Sequence, residues 1–327
     1  MPSSQVPDGT EVAAEATPSW SRRRPPLTRG RALQGALPYL LILPVLVVIG
    51  AVLGYPLYKL FTLSFQRYGL FELIRRQGEW IGLDNFSSVL HDRVFWHTLE
   101  RTIVFTIVNV GLTMVLGTLI ALLLVRVSNW VRVLLTSGLV LVWSMPVVVA
   151  VQIWFWMTNF QNGILNHVLT QLHVGDYFQH DWYGTTFSKL AMVTLLIVWG
   201  AIPFVTITVY AGLAQVPREL VDAAEIDGAG PLRVFRDVTF PILKPIFLIL
   251  TSLSIIWDFG VFAQPYLLIS PSNVDASNYL MGVYVYIEGY AQTNFGRGAA
   301  ISLLMLVMVA AMSVFYVRRM VRMKDVQ

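Results

Sequence analysis

One loop of the sequence, residues 215–241, combines acidic side chains with small ones. The residues that stand out in it are Glu219, Asp222, Ala223, Ala224, Asp227, Gly228 and Pro241. Pro217 suits the first position of a helix, Gly228 supplies the turn that ends it, and Pro231 can open a second short helix. The pattern predicts a helix, a glycine hinge and another helix that lie along the surface of the protein instead of passing through its interior.

The first of these helices is predicted to dock into a groove of another protein. Ala223 and Ala224 keep one side of the helix thin, and Leu220 and Ile226 are nearby apolar anchors. The alternative is a helix that rests on lipid headgroups, and such helices carry Lys and Arg along their polar face. Because this helix is acidic, anionic lipid would repel it, and the pattern favours a protein partner.

A second group of residues has the composition of a saccharide site. Sugar rings present apolar faces to aromatic side chains and hydroxyl groups to polar ones. The candidate residues for a substrate pathway are Trp199, Trp257, Asp258, Phe262 and Gln264. Asp258 stands in a long apolar stretch, where a charge is expensive and therefore a functional hypothesis. An acid that bonds a neighbouring side chain for structural reasons is an equally good interpretation.

On one helix, Trp257 and Asp258 would be about 100° apart. We therefore expect at most one of them to point squarely into a cavity, with Val261 or Phe262 one turn further on the same face.

Enzymatic chemistry is not indicated. The chain has no Cys, which excludes thiolate ligands and nucleophiles. His167, His173 and His180 lack the close spacing and supporting carboxylates of a zinc site. No phosphate-binding loop is present, so the chain itself does not hydrolyse ATP. We expect no catalytic residue, no metal and no cofactor bound by this chain.

The elements that must position these residues are membrane spans. Of 327 residues, 56% are hydrophobic and 13% are charged, about half the charged fraction of a soluble domain. Stretches that contain almost no charge predict an all-α membrane protein with six spans. Their approximate limits are 36–58, 102–125, 133–157, 190–213, 245–269 and 298–317. The scattered basic residues fit membrane topology and lipid contact, and they do not indicate nucleic acid.

Orientation follows from the distribution of Lys and Arg. Most of the 23 basic residues fall in the N-terminal tail, in the loops after spans two and four, and at the C-terminus. The positive-inside rule then predicts that both termini are cytoplasmic. Residues 1–35 are predicted to be a disordered cytoplasmic tail, residues 36–317 the six-helix domain, and residues 318–327 a basic cytoplasmic tail.

The loop also resembles a known family. Its residues follow the spacing of the EAA loop in permease subunits of binding-protein-dependent ABC importers, which reads Glu-Ala-Ala, three residues, Gly, nine residues, Ile, one residue, Leu-Pro. The matching residues are Asp222, Ala223, Ala224, Gly228, Val238, Phe240 and Pro241. Asp222, Val238 and Phe240 are mild departures. The wider sequence is similar to the sugar-permease branch that includes the maltose and glycerol-phosphate importers, and segments 82–86, 153–156, 163–166 and 295–302 support it. Residues 270–273 lack the Gly-Gly-Pro that many members carry.

The resemblance implies the type I importer permease fold and several partners. These are a homologous second permease, a pair of ATP-binding subunits that use the ATP, and an extracytoplasmic solute-binding protein, all at a bacterial plasma membrane. The cargo would be a sugar or an oligosaccharide, and residues 256–264 look like permeases for di-N-acetylchitobiose. The alternative function is an ion-coupled secondary transporter, but no internal repeat and no further ionisable residue inside a span supports it.

Overall fold

The computed structural model describes residues 29–269 and 275–324, and these residues are mostly helical. The helices are α1 Arg29–Ile49, α2 Tyr55–Ser64, α3 Leu70–Arg75, α4 Asp84–Leu90, α5 Arg93–Arg126, α6 Asn129–Trp143, α7 Val147–Met157, α8 Ile164–Gln171, α9 Thr186–Leu213, α10 Arg218–Ile226, α11 Pro231–Val234, α12 Phe240–Phe259, α13 Ala263–Ile269, α14 Met281–Tyr286 and α15 Phe295–Lys324. Two short strands, β1 Gln66–Arg67 and β2 Glu79–Trp80, pair in antiparallel fashion. The architecture is the predicted all-α class.

The ends of the predicted domains differ from this structure. Helix α1 begins at Arg29, so the last part of the predicted tail 1–35 is helical, and residues 1–28 lie outside the described residues. At the other end α15 continues to Lys324, so most of the predicted basic tail 318–327 extends the last helix. Residues 270–273, where the Gly-Gly-Pro is absent, are outside the described part as well.

Internal contacts divide the chain into two units, residues 1–56 and residues 57–327. The described part of the first unit is α1, a π-helical turn at Gly50–Gly54 and the start of α2. Pro38 and Pro44 lie inside α1 and do not interrupt it. In a membrane, neighbouring groups can satisfy the carbonyls that a proline frees.

Within the described residues, five helical segments are long and apolar enough to cross a membrane. They are Pro38–Ser64, Arg93–Arg126, Thr186–Leu213, Pro231–Phe259 and Phe295–Arg318. The predicted third span, 133–157, is a pair of helices: α6 and α7 meet at an angle of 100°, and the pair makes a sixth span if it is taken as one. The break falls immediately before Pro146, which disfavours helical backbone at the residue that precedes it.

The predicted fifth span, 245–269, is also divided. Helix α12 ends at Phe259, Gly260 follows it, and α13 starts at Ala263. At its other end α12 continues backward through a π-helical turn at Phe235–Thr239 into α11. The second short helix expected after Gly228 is therefore the first turn of this membrane helix and not a separate surface element.

The second unit is built around α5 and α9, which run side by side in the same direction. Small residues allow the close approach: a Cβ atom placed on Gly117 would lie 2.7 Å from Cγ1 of Val205. The hydroxyl of Thr206 donates a hydrogen bond to the carbonyl oxygen of Gly117 at 3.2 Å. Small side chains and interhelical hydrogen bonds of this kind hold helices together in lipid, where the hydrophobic effect between them is weak.

An ion-pair cluster joins the beginnings of α5 and α15 to the segment between α13 and α15. We call it the Arg297 network, and it comprises Asp92, Tyr284, Glu288 and Arg297. The Arg297 guanidinium pairs with the carboxylates of Asp92 and Glu288, and the Tyr284 hydroxyl donates to Asp92. Asp92 also caps α5 by accepting from the Val94 amide. Burial raises the pKa of the Tyr284 hydroxyl to about 12, and burial raises the pKa of Glu288 against the opposing effect of Arg297.

Candidate functional site

A cavity of about 320 Å³ lies where two of the membrane helices are broken. Its walls come from the corner between α6 and α7, from the middle of α9, and from the end of α12 with the residues that follow it. The lining residues include Val142, Trp143, Met145, Trp199, Phe204, Trp257, Asp258, Val261 and Gln264. Irregular backbone at membrane depth is tolerated where it is buried in protein or lines a water-filled cavity. Both helix breaks therefore lie beside this cavity, where water can satisfy the backbone groups that the breaks leave free.

Four of the five residues predicted for a substrate pathway meet in this cavity. They are Trp199, Trp257, Asp258 and Gln264. Trp257 and Asp258, although adjacent in α12, both contribute to the lining. The helix ends one residue later at Phe259, and the cavity wraps around that end.

Phe262 is placed elsewhere. Its ring stacks on Tyr266 with centroids 5.0 Å apart and lies 5.1 Å from the ring of Tyr286. Val261 takes the cavity-facing position in its place. Of the two alternatives one turn from Asp258, Val261 therefore lines the cavity and Phe262 does not.

The sequence did not single out two aromatic residues that form part of the wall. Trp143 and Phe204 stack with centroids 6.0 Å apart and planes at 17°, and Phe204 lies 5.4 Å from Trp257. Trp143 is the last residue of α6, directly before the break. The one signal for Trp143 was its position three residues ahead of Pro146, and other prolines of the chain lie inside continuous helices.

Asp258 is a buried acid whose carboxylate lacks hydrogen-bond donors in the described part of the chain. It is 7% exposed, and its carboxylate has no hydrogen-bond donor among the described residues. Its oxygens are nevertheless not sealed off from the cavity that the residue lines. A buried carboxylate without a donor is costly, so this group is stabilised either by a proton or by a hydrogen bond from something that enters the cavity.

The predicted docking helix is α10, at the opposite end of the bundle from the Arg297 network. Pro217 is its N-cap instead of its first helical residue, and Glu219 lies in its first turn. Glu219, Asp222, Ala223 and Asp227 are all exposed, and Ala224 is half-buried. The apolar anchors Leu220 and Ile226 are exposed as well, Ile226 to 85%.

Gly228 ends the docking helix as the sequence predicts. Its φ of +80° is in the left-handed region, and no atom lies within 4 Å of a Cβ built on it. The Ala229 amide donates to the carbonyl of Ala224 at 2.9 Å, which closes the end of the helix. Pro241, the last residue of the motif, is exposed in the first turn of α12.

The histidine segment holds no metal-binding arrangement in the described residues. His180 packs edge-on against Trp182 at 4.6 Å, and Trp182 stacks on Tyr177 at 5.6 Å. The Trp182 indole donates to Asn166, which fixes this group against α8. These contacts are those of a folded loop.

Comparison with known proteins gives one consistent result. Residues 113–323 match the family described as binding-protein-dependent transport system inner membrane component. The chain is 41% identical to the diacetylchitobiose uptake system permease protein DasB of Streptomyces coelicolor, over 91% of this chain and 92% of that protein. It is 31% identical to the trehalose/maltose transport system permease protein MalF of Thermococcus litoralis, over 87% and 94% of the two chains.

A solved structure shares the fold. A chain of a bacterial ABC transporter involved in the import of the acidic polysaccharide alginate superposes with a TM-score of 0.76 at 17% identity, and the match covers 90% of this chain and 98% of that chain.

Proposed function

Because the chain belongs to the family of binding-protein-dependent transport system inner membrane components, we propose that it is the permease subunit through which an ABC importer passes a sugar or an oligosaccharide. Saccharides are the cargo named for the two relatives above, and both match nearly the full length of this chain. Those names support the cargo class and do not extend to one particular sugar.

The observation that carries the proposal is the cavity at the broken helices. Aromatic faces from Trp143, Trp199 and Trp257 surround two polar groups, Asp258 and Gln264. Ligand sites typically combine apolar walls with a few convergent polar groups, and a cavity of this volume is at the small end of their range. Trp143 and Trp257 can cover the apolar faces of a sugar ring while Asp258 and Gln264 bond its hydroxyl groups.

The energy for import comes from partners. We propose that a pair of ATP-binding subunits uses the ATP and receives α10 in a surface groove, through the face that carries Ala223 and Ala224. A homologous second permease would complete the pathway, and an extracytoplasmic solute-binding protein would deliver the cargo, in keeping with the description of the family. In this arrangement both termini and α10 are cytoplasmic in a bacterial plasma membrane, and the Arg297 network lies toward the outside.

The ion-coupled alternative has no support from the relatives. A further relative, 31% identical over 83% of this chain, is the inner membrane ABC transporter permease protein YcjO of Escherichia coli. The protein is on this reading a transport subunit and not an enzyme.

The test is a pair of substitutions at one position of α10. Ala224→Arg places a long charged side chain on the thin face of the helix, whereas Ala224→Ser adds one oxygen atom. Each variant is expressed with its partner subunits, and both copurification of the ATP-binding subunit and uptake of di-N-acetylchitobiose and maltose are measured. We expect Ala224→Arg to reduce association and uptake together by at least tenfold and Ala224→Ser to leave both near normal. Normal association and uptake in Ala224→Arg would refute the docking role.

A further inference from the structure

The charged side chains that line the cavity bear on which saccharides it can accept. Among the described residues that line it, Asp258 alone is charged, and no Lys, Arg or His accompanies it. The inference drawn from this fact rests on the proposed function, because it takes the cavity to be the saccharide pathway.

The helix ends around the cavity do not cancel that charge. Helices α6 and α12 end there, which presents partial negative charge, and α7 begins there, which presents partial positive charge. Since ends of both signs meet at the same place, their contributions largely offset one another. Asp258, the one ionisable side chain of this lining, is left as the group that dominates the electrostatics of the cavity.

We infer that Asp258 selects cargo by charge, and that this permease takes saccharides without carboxylate groups. A neutral saccharide brings hydroxyl or N-acetyl amide groups, whose O–H or N–H can donate to the unpaired carboxylate. A uronic acid brings a second negative charge into a small apolar cavity. It must either remain near Asp258 without a counter-ion or force a proton onto one of the two carboxylates, and both outcomes cost free energy.

Gln264 complements this selection without adding charge. Its side chain offers one acceptor and two donors, so it can bond hydroxyl groups of any orientation. It can also donate to a carboxylate, which means that it does not discriminate against a uronic acid. The discrimination therefore depends on Asp258.

The experiment measures binding to the assembled transporter in lipid nanodiscs, in the absence of the solute-binding protein, so that selection by that protein is removed. The readout is tryptophan fluorescence: three of the ten Trp residues, Trp143, Trp199 and Trp257, line the cavity, and a signal from the cavity is one that Trp257→Phe reduces. The two probes are di-N-acetylchitobiose and the same disaccharide with one primary hydroxyl group oxidised to a carboxylate. We expect the neutral probe to bind at least tenfold more tightly, and we expect Asp258→Asn to reduce this ratio to below threefold, mainly by strengthening the binding of the carboxylate probe.

Two further variants keep the result interpretable. Asp176→Asn removes an exposed carboxylate outside the cavity and should leave the ratio unchanged. Gln264→Glu adds a second carboxylate to the cavity without altering Asp258, and should increase the ratio at least tenfold even if Asp258→Asn does not assemble.

The inference is overturned if the wild-type transporter binds both probes equally, or if Asp258→Asn keeps the full ratio. It is also overturned if neither probe changes the fluorescence while the complete transporter still imports the neutral disaccharide. In each of these cases the proposed function stands, because it is judged by import and by association with the ATP-binding subunit.

Discussion

The two ends of the helical bundle are held in different ways. At one end, the Arg297 network joins Asp92 to a segment that lies 192 to 205 residues later in the sequence. Its charged side chains are mostly covered: Arg297 is 22% exposed, Asp92 23% and Glu288 12%. At the other end, α10 carries two exposed residues of the family motif, Asp222 and Ala223, and two exposed apolar anchors.

The two ends therefore differ in whether this chain alone satisfies their side chains. We call the end with the Arg297 network the completed end and the end with α10 the open end. The Arg297 network satisfies its own charges, so its stability depends on contacts that the chain already makes. Helix α10 leaves Leu220 and Ile226 uncovered, as expected for a surface that a partner protein covers. Substitutions at the first end should therefore change the stability of the chain, and substitutions at the second should change assembly and transport.

The largest expected effect is at Arg297. Arg297→Ala leaves the carboxylates of Asp92 and Glu288 close together, mostly covered and without a counter-ion. We expect a loss of about 3 kcal/mol in the free energy of unfolding, at the lower end of the range for a broken buried pair because the site is partly exposed. Thermal unfolding of the purified protein in detergent measures it.

The matched control is Arg236→Ala. Arg236 pairs with Asp237 at 2.7 Å, but both side chains are exposed, to 74% and 47%. Exposed pairs contribute at most about 1 kcal/mol, so the melting temperature should hardly change. If Arg297→Ala and Arg236→Ala lowered the melting temperature equally, the Arg297 network would stabilise the chain no more than an exposed ion pair does.

The two ends also differ in how far the sequence could predict them. The α10 loop is local: Pro217, Gly228 and Pro231 set its helix limits within a few residues, and the structure follows them closely. The Arg297 network joins residues 92, 284, 288 and 297, and nothing in their spacing indicates that they meet. Only the packing of α5 against the later segments brings them together.

The cavity could be predicted from the sequence in part: its residue types could be recognised, but the helix breaks that shape it could not. Its polar and aromatic residues could be recognised by type, and four of the five candidates lie in it. The breaks that shape it could not be placed, because prolines have different consequences in different surroundings. Pro203 and Pro245 lie inside continuous helices, whereas the chain bends by 100° just before Pro146. Whether a freed carbonyl meets a neighbouring helix or a cavity depends on tertiary contacts that the sequence does not show.

A smaller effect is expected where α5 packs against α9, in the part of the bundle that the chain completes by itself. In Gly117→Ala the new Cβ atom would lie 2.7 Å from Val205, and the side chain of Val205 or the helices must shift. We expect a loss of about 1 to 3 kcal/mol in the free energy of unfolding, typical of overpacking.

Gly111→Ala is the control on the same helix, since no atom lies within 4 Å of a Cβ built there. It should leave thermal stability unchanged or raise it slightly. If Gly117→Ala were as stable as Gly111→Ala, the close contact of α5 and α9 would not limit the stability of the bundle.

The smallest effect on thermal stability is expected at Gly228, and a substitution there tests the role of α10 directly. Gly228→Ala forces a side chain into backbone of φ +80°, which costs an L-residue about 1 to 2 kcal/mol even though the space around it is empty. Because the turn is exposed and lies outside the packed bundle, we expect the end of α10 to change its path while the melting temperature remains the same. Association with the ATP-binding subunit should weaken about fivefold, which corresponds to about 1 kcal/mol.

Gly230→Ala is the matched control two residues away, where φ is −70° and any residue fits. A lower melting temperature with normal association in Gly228→Ala would mean that the turn stabilises the bundle, and that α10 belongs to the completed part of the molecule after all.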